Sequence, residues 1–106
     1  MLMKIHKTVI ISTVSLFAAL VVSLVVYDQK LKSNFNHIVM GESQAEVKHA
    51  LGEPHGVVEC GTFGGSPPPG CDEEFSYVSA LTFWDVWTVS FDTGGHVVRK
   101  LRYGSP

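Results

Sequence analysis

No charged residue interrupts Thr8 to Tyr27, and that absence decides where the rest of the chain lives. The run reads TVIISTVSLFAALVVSLVVY. About twenty apolar residues at ~1.5 Å each span the ~30 Å hydrocarbon core of a bilayer, where only a helix satisfies its own backbone. A cleaved signal usually has an apolar stretch of only about 7 to 15 residues and ends in a small-x-small site. This run is longer and ends Ser23-Leu24-Val25-Val26-Tyr27-Asp28, so it reads as an uncleaved anchor. No cysteine lies near its end, so a lipid-anchored lipoprotein is not indicated. Ser12, Ser15 and Ser23 read as ordinary serines bonding back within the helix rather than as a partner-helix face.

Positive charge is scarce beyond the run. Of eight Lys and Arg, Lys4 and Lys7 precede it, which leaves six bases against ten acids from Asp28 onward and a net charge of −4 there. That balance argues against nucleic acid as a partner. Lys4, Lys7 and the terminal amine on one side, against the partly offsetting Asp28, Lys30 and Lys32 on the other, favour a cytoplasmic N-terminus. The chain therefore divides into a basic cytoplasmic tail (1–7), a transmembrane helix (8–27) and an extracytoplasmic part (28–106). The last holds 79 residues, enough for one small domain. Tyr27 suits the outer interface of the bilayer, and no internal repeat is present.

Only two cysteines occur, Cys60 and Cys71, flanking the Gly/Pro segment GTFGGSPPPG. Two cysteines in a small domain outside the cytoplasm are most simply a disulfide stapling a loop that cannot order itself. Closing such a loop is worth about 3 kcal/mol in the chain-entropy model. Ten residues between them is not a zinc spacing, even with His49 and His55 upstream, and the Cys-x-x-Cys redox context is missing.

A catalytic set is also missing. The five histidines are scattered, no serine sits in a nucleophile elbow, and Asp72-Glu73-Glu74 are adjacent rather than facing, which reads as a solvated loop edge. The expectation is a protein without catalysis, cofactor, metal or small-molecule substrate. His49 is expected to be exposed on a helix, and His55 to lie in a loop.

What is present is clear local punctuation. Leu31, Phe35, Ile38 and Val39 recur at helical intervals beyond the apolar run. Ser43-Gln44-Ala45-Glu46 forms a capping box, so a short helix begins at Gln44, buries Val47, Ala50 and Leu51, and stops at Gly52 before Pro54. Val39 or Met40 could staple onto it, with Gly41 turning the chain before the cap. From Phe75 to Asp92 the chain alternates, with Phe75, Tyr77, Leu81, Phe83, Trp87, Val89 and Phe91 on one parity, and eighteen residues are split into two strands near Trp84-Asp85. Thr93-Gly94-Gly95 makes a hairpin turn into a last strand, His96 to Tyr103. There Val97, Leu101 and Tyr103 share the apolar parity with Arg99, which is expected at an edge or paired with an acid. Val57 to Cys60 could add a short element to the sheet.

Phe35-x-x-Ile38-x-x-Gly41-x-Ser43-x-x-Glu46-Val47-x-x-x-Leu51-Gly52-x-Pro54, followed by Val89-x-Phe91-Asp92-x-x-Gly95-x-Val97, resembles the SmpA/OmlA (BamE-like) family of envelope domains. The resemblance covers roughly half of the extracytoplasmic part; Glu42 stands where the family usually has Met, and a membrane helix replaces the lipidated cysteine. It implies an α+β domain of two helices on a three-stranded antiparallel sheet. Known members are outer-membrane lipoproteins that serve as accessory factors of outer-membrane protein assembly, so the resemblance implies binding to an envelope protein partner, while the membrane helix places this chain in the bacterial inner membrane with its domain in the periplasm. A second expectation, from the stapled loop alone, is a structural or inhibitory domain that inserts its Gly/Pro loop into a target. Ser43, Glu46 and Gly52 are capping positions in either case.

The candidate contact surface is Trp84 with Phe63, Pro67, Pro68 and Pro69 of the loop. Trp84 lies on the opposite parity from Trp87, so it either caps the core where the strand breaks or stands exposed as an interface anchor. The first check concerns the apolar run: the mature protein is expected to migrate on gels with the full-length chain, and a mature form shortened to near Asp28 would contradict the anchor.

Overall fold

A computed structural model describes residues 2–64, 66–82 and 84–104. Helix α1 spans Leu2–His37, 36 residues, and α2 spans Gln44–Leu51. Four strands follow: β1 Gly56–Val58, β2 Cys71–Val78, β3 Val86–Asp92 and β4 Val97–Tyr103. They form one antiparallel sheet in the order β1-β2-β3-β4, so the class is α+β. Three strands are the expected ones. The fourth, β1, is the short element anticipated beside them.

Neither Gly nor Pro occurs within α1, so nothing in the sequence breaks the helix between its apolar half and its amphipathic half. At ~1.5 Å per residue it is about 54 Å long, and it dominates a molecule 69 Å in its longest dimension. Its segment His6–His37 includes a window of mean hydropathy 2.7, none of it buried, so the helix is long and apolar enough to cross a membrane. Thr13 and Ser23 donate to the carbonyls four residues back, 2.8 and 2.9 Å away. The last turns of α1 do different work. Leu31, Phe35 and Ile38 are buried against the sheet, while Val39 and Met40 are more than half exposed and do not staple onto α2.

Helix α2 is made by its caps. Ser43 Oγ accepts from the Glu46 amide at 3.1 Å, Glu46 Oε1 accepts from the Ser43 amide at 3.3 Å, and Gly52 at φ 85° closes the end. Its Val47 and Leu51 join Phe75, Tyr77, Trp87, Val89, Phe91 and Val97 in the core. Each fully buried apolar side chain of this size contributes about 1.5–3 kcal/mol. Tyr77 is buried completely, its hydroxyl donates to the Gly52 carbonyl at 2.9 Å, and burial pushes its phenol well above the usual value.

Three sequence expectations are corrected. The stretch from Phe75 to Asp92 divides not at Trp84-Asp85 alone but over a turn of residues 79–85, held by Ser79 N–H to the Asp85 carbonyl at 2.9 Å; Leu81 is exposed there, and Phe83 lies outside the described residues. The acidic triplet is strand rather than loop edge: Asp72 is exposed, Glu73 accepts from Gln44 Nε2, and Glu74 is fully buried. In β4 a bulge opposite Ser90/Phe91 shifts the pairing, so Val97 faces the helices but Arg99, Leu101 and Tyr103 face the other side of the sheet. Lys100 and Arg102 then reach the helix side, 5.2 Å from the Phe35 ring and 5.6 Å from the Trp87 ring.

The β3–β4 hairpin closes on Asp92, whose Oδ1 accepts from His96 N–H at 2.9 Å and Gly94 N–H at 3.0 Å; Gly95 supplies the positive φ of 76°. The His96 amide chiefly holds the Asp92 carboxyl below its ordinary 3.8, partly opposed by desolvation, with Gly94 adding to the lowering. A depressed folded value means that the stabilisation is complete above the ordinary value and is lost as pH falls through the folded one. In denaturant titrations Asp92→Asn is therefore expected to be less stable than the native chain at neutral pH, with the gap closing below the ordinary aspartate value; a gap independent of pH would contradict this origin.

Candidate functional site

The sheet has two covered faces. Helices α1 and α2 cover one, and the loop between Cys60 and Cys71 crosses the other. The two cysteines are joined in a disulfide, with Cα atoms 6.2 Å apart. Past that staple the loop is braced by two β4 residues: Arg99 Nη1 donates to the Ser66 carbonyl at 2.6 Å, and Tyr103 Oη donates to the Gly64 carbonyl at 2.9 Å. Phe63 leans on the Tyr103 ring, 6.1 Å between centroids, and Pro68 accepts from the Cys71 amide at 3.1 Å. Phe63, Pro67 and Pro69 are exposed and Pro68 half-buried. The loop that could not order itself is ordered by the sheet beneath it.

Under the loop lies a polar layer. Glu74 Oε1 accepts from Ser90 Oγ at 2.9 Å and from the Gly61 amide at 3.4 Å, and lies 3.4 Å from Arg99 Nη2. Glu74 Oε2 and Arg99 Nε are buried without a hydrogen-bond partner among the described residues. Cys60, Cys71 and Glu74 bring ligand-type atoms within 4.8 Å, but the two sulfurs are bonded to each other and offer no thiolate to a metal. Arg99 is thus both on an edge strand and paired with an acid, as its place among apolar residues signalled. Glu74 was missed because its two acidic neighbours made it look solvated.

Trp84 is 62 % exposed, so of the two sequence readings the core cap falls away. It stands in the turn of residues 79–85, while the three prolines cross the loop-covered face. The turn is tied to α1 by Asp28, which accepts from Ser79 Oγ at 2.5 Å and from Ala80 N–H at 2.8 Å. No sequence signal links Asp28 to Ser79, 51 positions away. His55 is exposed but engaged: its Nδ1 accepts from Val78 N–H at 2.7 Å and its Nε2 lies 3.2 Å from Tyr27 Oη. That arrangement ties the chain leaving α2 to the end of the apolar run.

Between α1 and α2 runs an open groove of about 880 Å³, lined by Tyr27, Lys30, Asn34, Glu46 and His49, with Ala45 and Ala50 among the small residues that leave it room. Asn34 Nδ2 donates to the Ala50 carbonyl at 3.0 Å and fixes the helices across it. His49, as expected, is exposed. Compared with known proteins, the chain matches no family model, no curated protein and no solved structure.

The buried pair makes a sharp stability test. Arg99→Ala strands a buried carboxylate and is expected to cost about 3–5 kcal/mol, a large share of a small domain's total. Adding Glu74→Gln removes the stranded charge and is expected to restore much of that loss. Chemical denaturation of four chains, the native one, Arg99→Ala, Glu74→Gln and the double variant, with the disulfide intact checks it; an additive double variant would show that the pair carries no coupling.

Proposed function

We propose that the chain is a membrane-anchored, non-catalytic protein-binding module of the bacterial cell envelope, with its domain on the periplasmic side. The observation that carries this reading is the unbroken passage of α1 from its apolar half into the core, where Leu31, Phe35 and Ile38 are buried. A domain attached by a flexible linker can search for partners at a distance. A domain that shares its helix with the anchor is held at one height and serves what comes to the membrane surface. The resemblance to SmpA/OmlA domains adds the kind of work such a module does, the support of outer-membrane protein assembly through contact with an envelope protein.

The partner-facing surface in this reading is the loop-covered face, on which Phe63, Pro67 and Pro69 are exposed. The disulfide and the two β4 braces fix these residues before a partner arrives, so little ordering entropy is lost on binding. An inhibitory loop, the second expectation, has to project into a target. A loop strapped flat across a sheet suits a broad contact better.

The test is crosslinking in cells from a photoreactive phenylalanine analogue at position 63, a near-isosteric change. Recovery of barrel-assembly components is the expected outcome. Recovery of one unrelated envelope enzyme, with capture lost when Pro67, Pro68 and Pro69 become Gly or Ser, would favour the inhibitory reading instead.

A further inference from the structure

Resting on the reading of α1 as a membrane anchor, we propose that the turn between β2 and β3 seats in the lipid interface, with Leu81 and Trp84 in the headgroup layer beside Tyr27. The domain then touches the membrane at a second point besides its helix.

The argument is one of height. Tyr27 is the last residue of the apolar run, and Asp28 follows it by a single ~1.5 Å step along the helix. The Asp28 carboxylate holds Ser79 and Ala80, so the turn is fixed at the level where the hydrocarbon ends. Headgroups extend the bilayer by roughly 5–8 Å on each side of that level. Ser79 and Ala80, pinned at Asp28, start the turn at the edge of that layer.

The turn carries the residues that such a layer accepts. Trp84 is 62 % exposed, Leu81 44 % and Tyr27 40 %, whereas Trp87, three residues further along, is buried in the core. Tryptophan and tyrosine collect at membrane–water boundaries because the ring body is apolar and the N–H or O–H is wet. Described residues of the turn are also bonded to one another. Ser79 Oγ accepts from the Leu81 and Thr82 amides at 3.2 and 3.1 Å, and Thr82 Oγ1 donates to Asp85 Oδ2 at 2.7 Å. These bonds flank Leu81 and Trp84 on both sides.

Charge agrees with this placement. Lys30 and Lys32 are exposed just beyond Asp28, where lipid phosphates lie. Among the described residues, Asp28 is engaged by the turn, Asp85 by Thr82 and by Arg102 at 3.5 Å, and Glu53 by Lys48 at 3.7 Å. A protein partner on Trp84 would need to reach into the same layer, which favours lipid as the occupant.

The test uses the full chain reconstituted in phosphatidylcholine vesicles whose acyl chains are brominated either near the headgroup or near the chain end. Tryptophan emission is compared between the native chain and Trp84→Phe, which leaves buried Trp87 as the baseline; near-ultraviolet circular dichroism checks the fold. The expected result is quenching by the shallow bromines in excess of the deep ones, lost in Trp84→Phe. A vesicle-bound chain whose Trp84 emission is untouched by both lipids and quenched by aqueous iodide would overturn the proposal while leaving the anchor in place. A chain that does not float with vesicles would overturn the anchor reading itself, and the proposal with it.

Discussion

The structure depends on one helix with two kinds of surface, apolar all round and exposed in its first half and buried along one stripe in its last turns. Backbone hydrogen bonds inside α1 are the same in both halves, so the helix needs no break where its outer face changes from apolar on all sides to apolar along one stripe. Only side chains mark the change: Tyr27 and Asp28 end the run, and Leu31, Phe35 and Ile38 begin the core. Those last turns also hold three other parts of the domain. Asp28 holds the β2–β3 turn, Asn34 holds α2, and Lys100 Nζ donates to the Phe35 carbonyl at 3.0 Å.

The sheet is solved differently on its two sides. Toward the helices its centre is apolar and closely packed, with the Phe75 and Phe91 rings 4.5 Å apart, and Glu73, Lys100 and Arg102 stand around it. Away from them it presents Glu74, Ser76, Thr88 and Ser90, a polar surface that a small chain cannot leave under a loop without partners. The disulfide loop supplies a lid, one amide from Gly61 and one acceptor at Ser66, while Arg99 supplies the charge. The staple and the ion pair are therefore a single device. Reducing the disulfide would loosen the lid over a carboxylate that needs it.

Much of the fold was legible because its signals are local. The capping box needs residues three apart, the hairpin needs Gly95 after Asp92, and the cysteine pair stood alone in a chain with no other thiol. Phe75, Tyr77, Val89 and Phe91 alternated as strands must. What was not legible depends on register and on distance along the chain. The bulge opposite Ser90/Phe91 flips Leu101 and Tyr103 to the face away from the helices, and alternation cannot reveal a bulge. Glu74 looked like one of three solvated acids until Arg99, 25 positions on, was brought beside it. For Trp84, parity allowed both burial and exposure, and only the position of the turn on Asp28 decided between them.

The sheet is open, with edges at β1 and β4, and this has a consequence for crowding. An exposed edge invites a second copy to add its own strand. Here one edge is only three residues long, and the other carries Arg99, Lys100 and Arg102 in close succession. Neither offers a long neutral row of unpaired backbone groups. Strand addition by a second copy is thereby disfavoured at both edges.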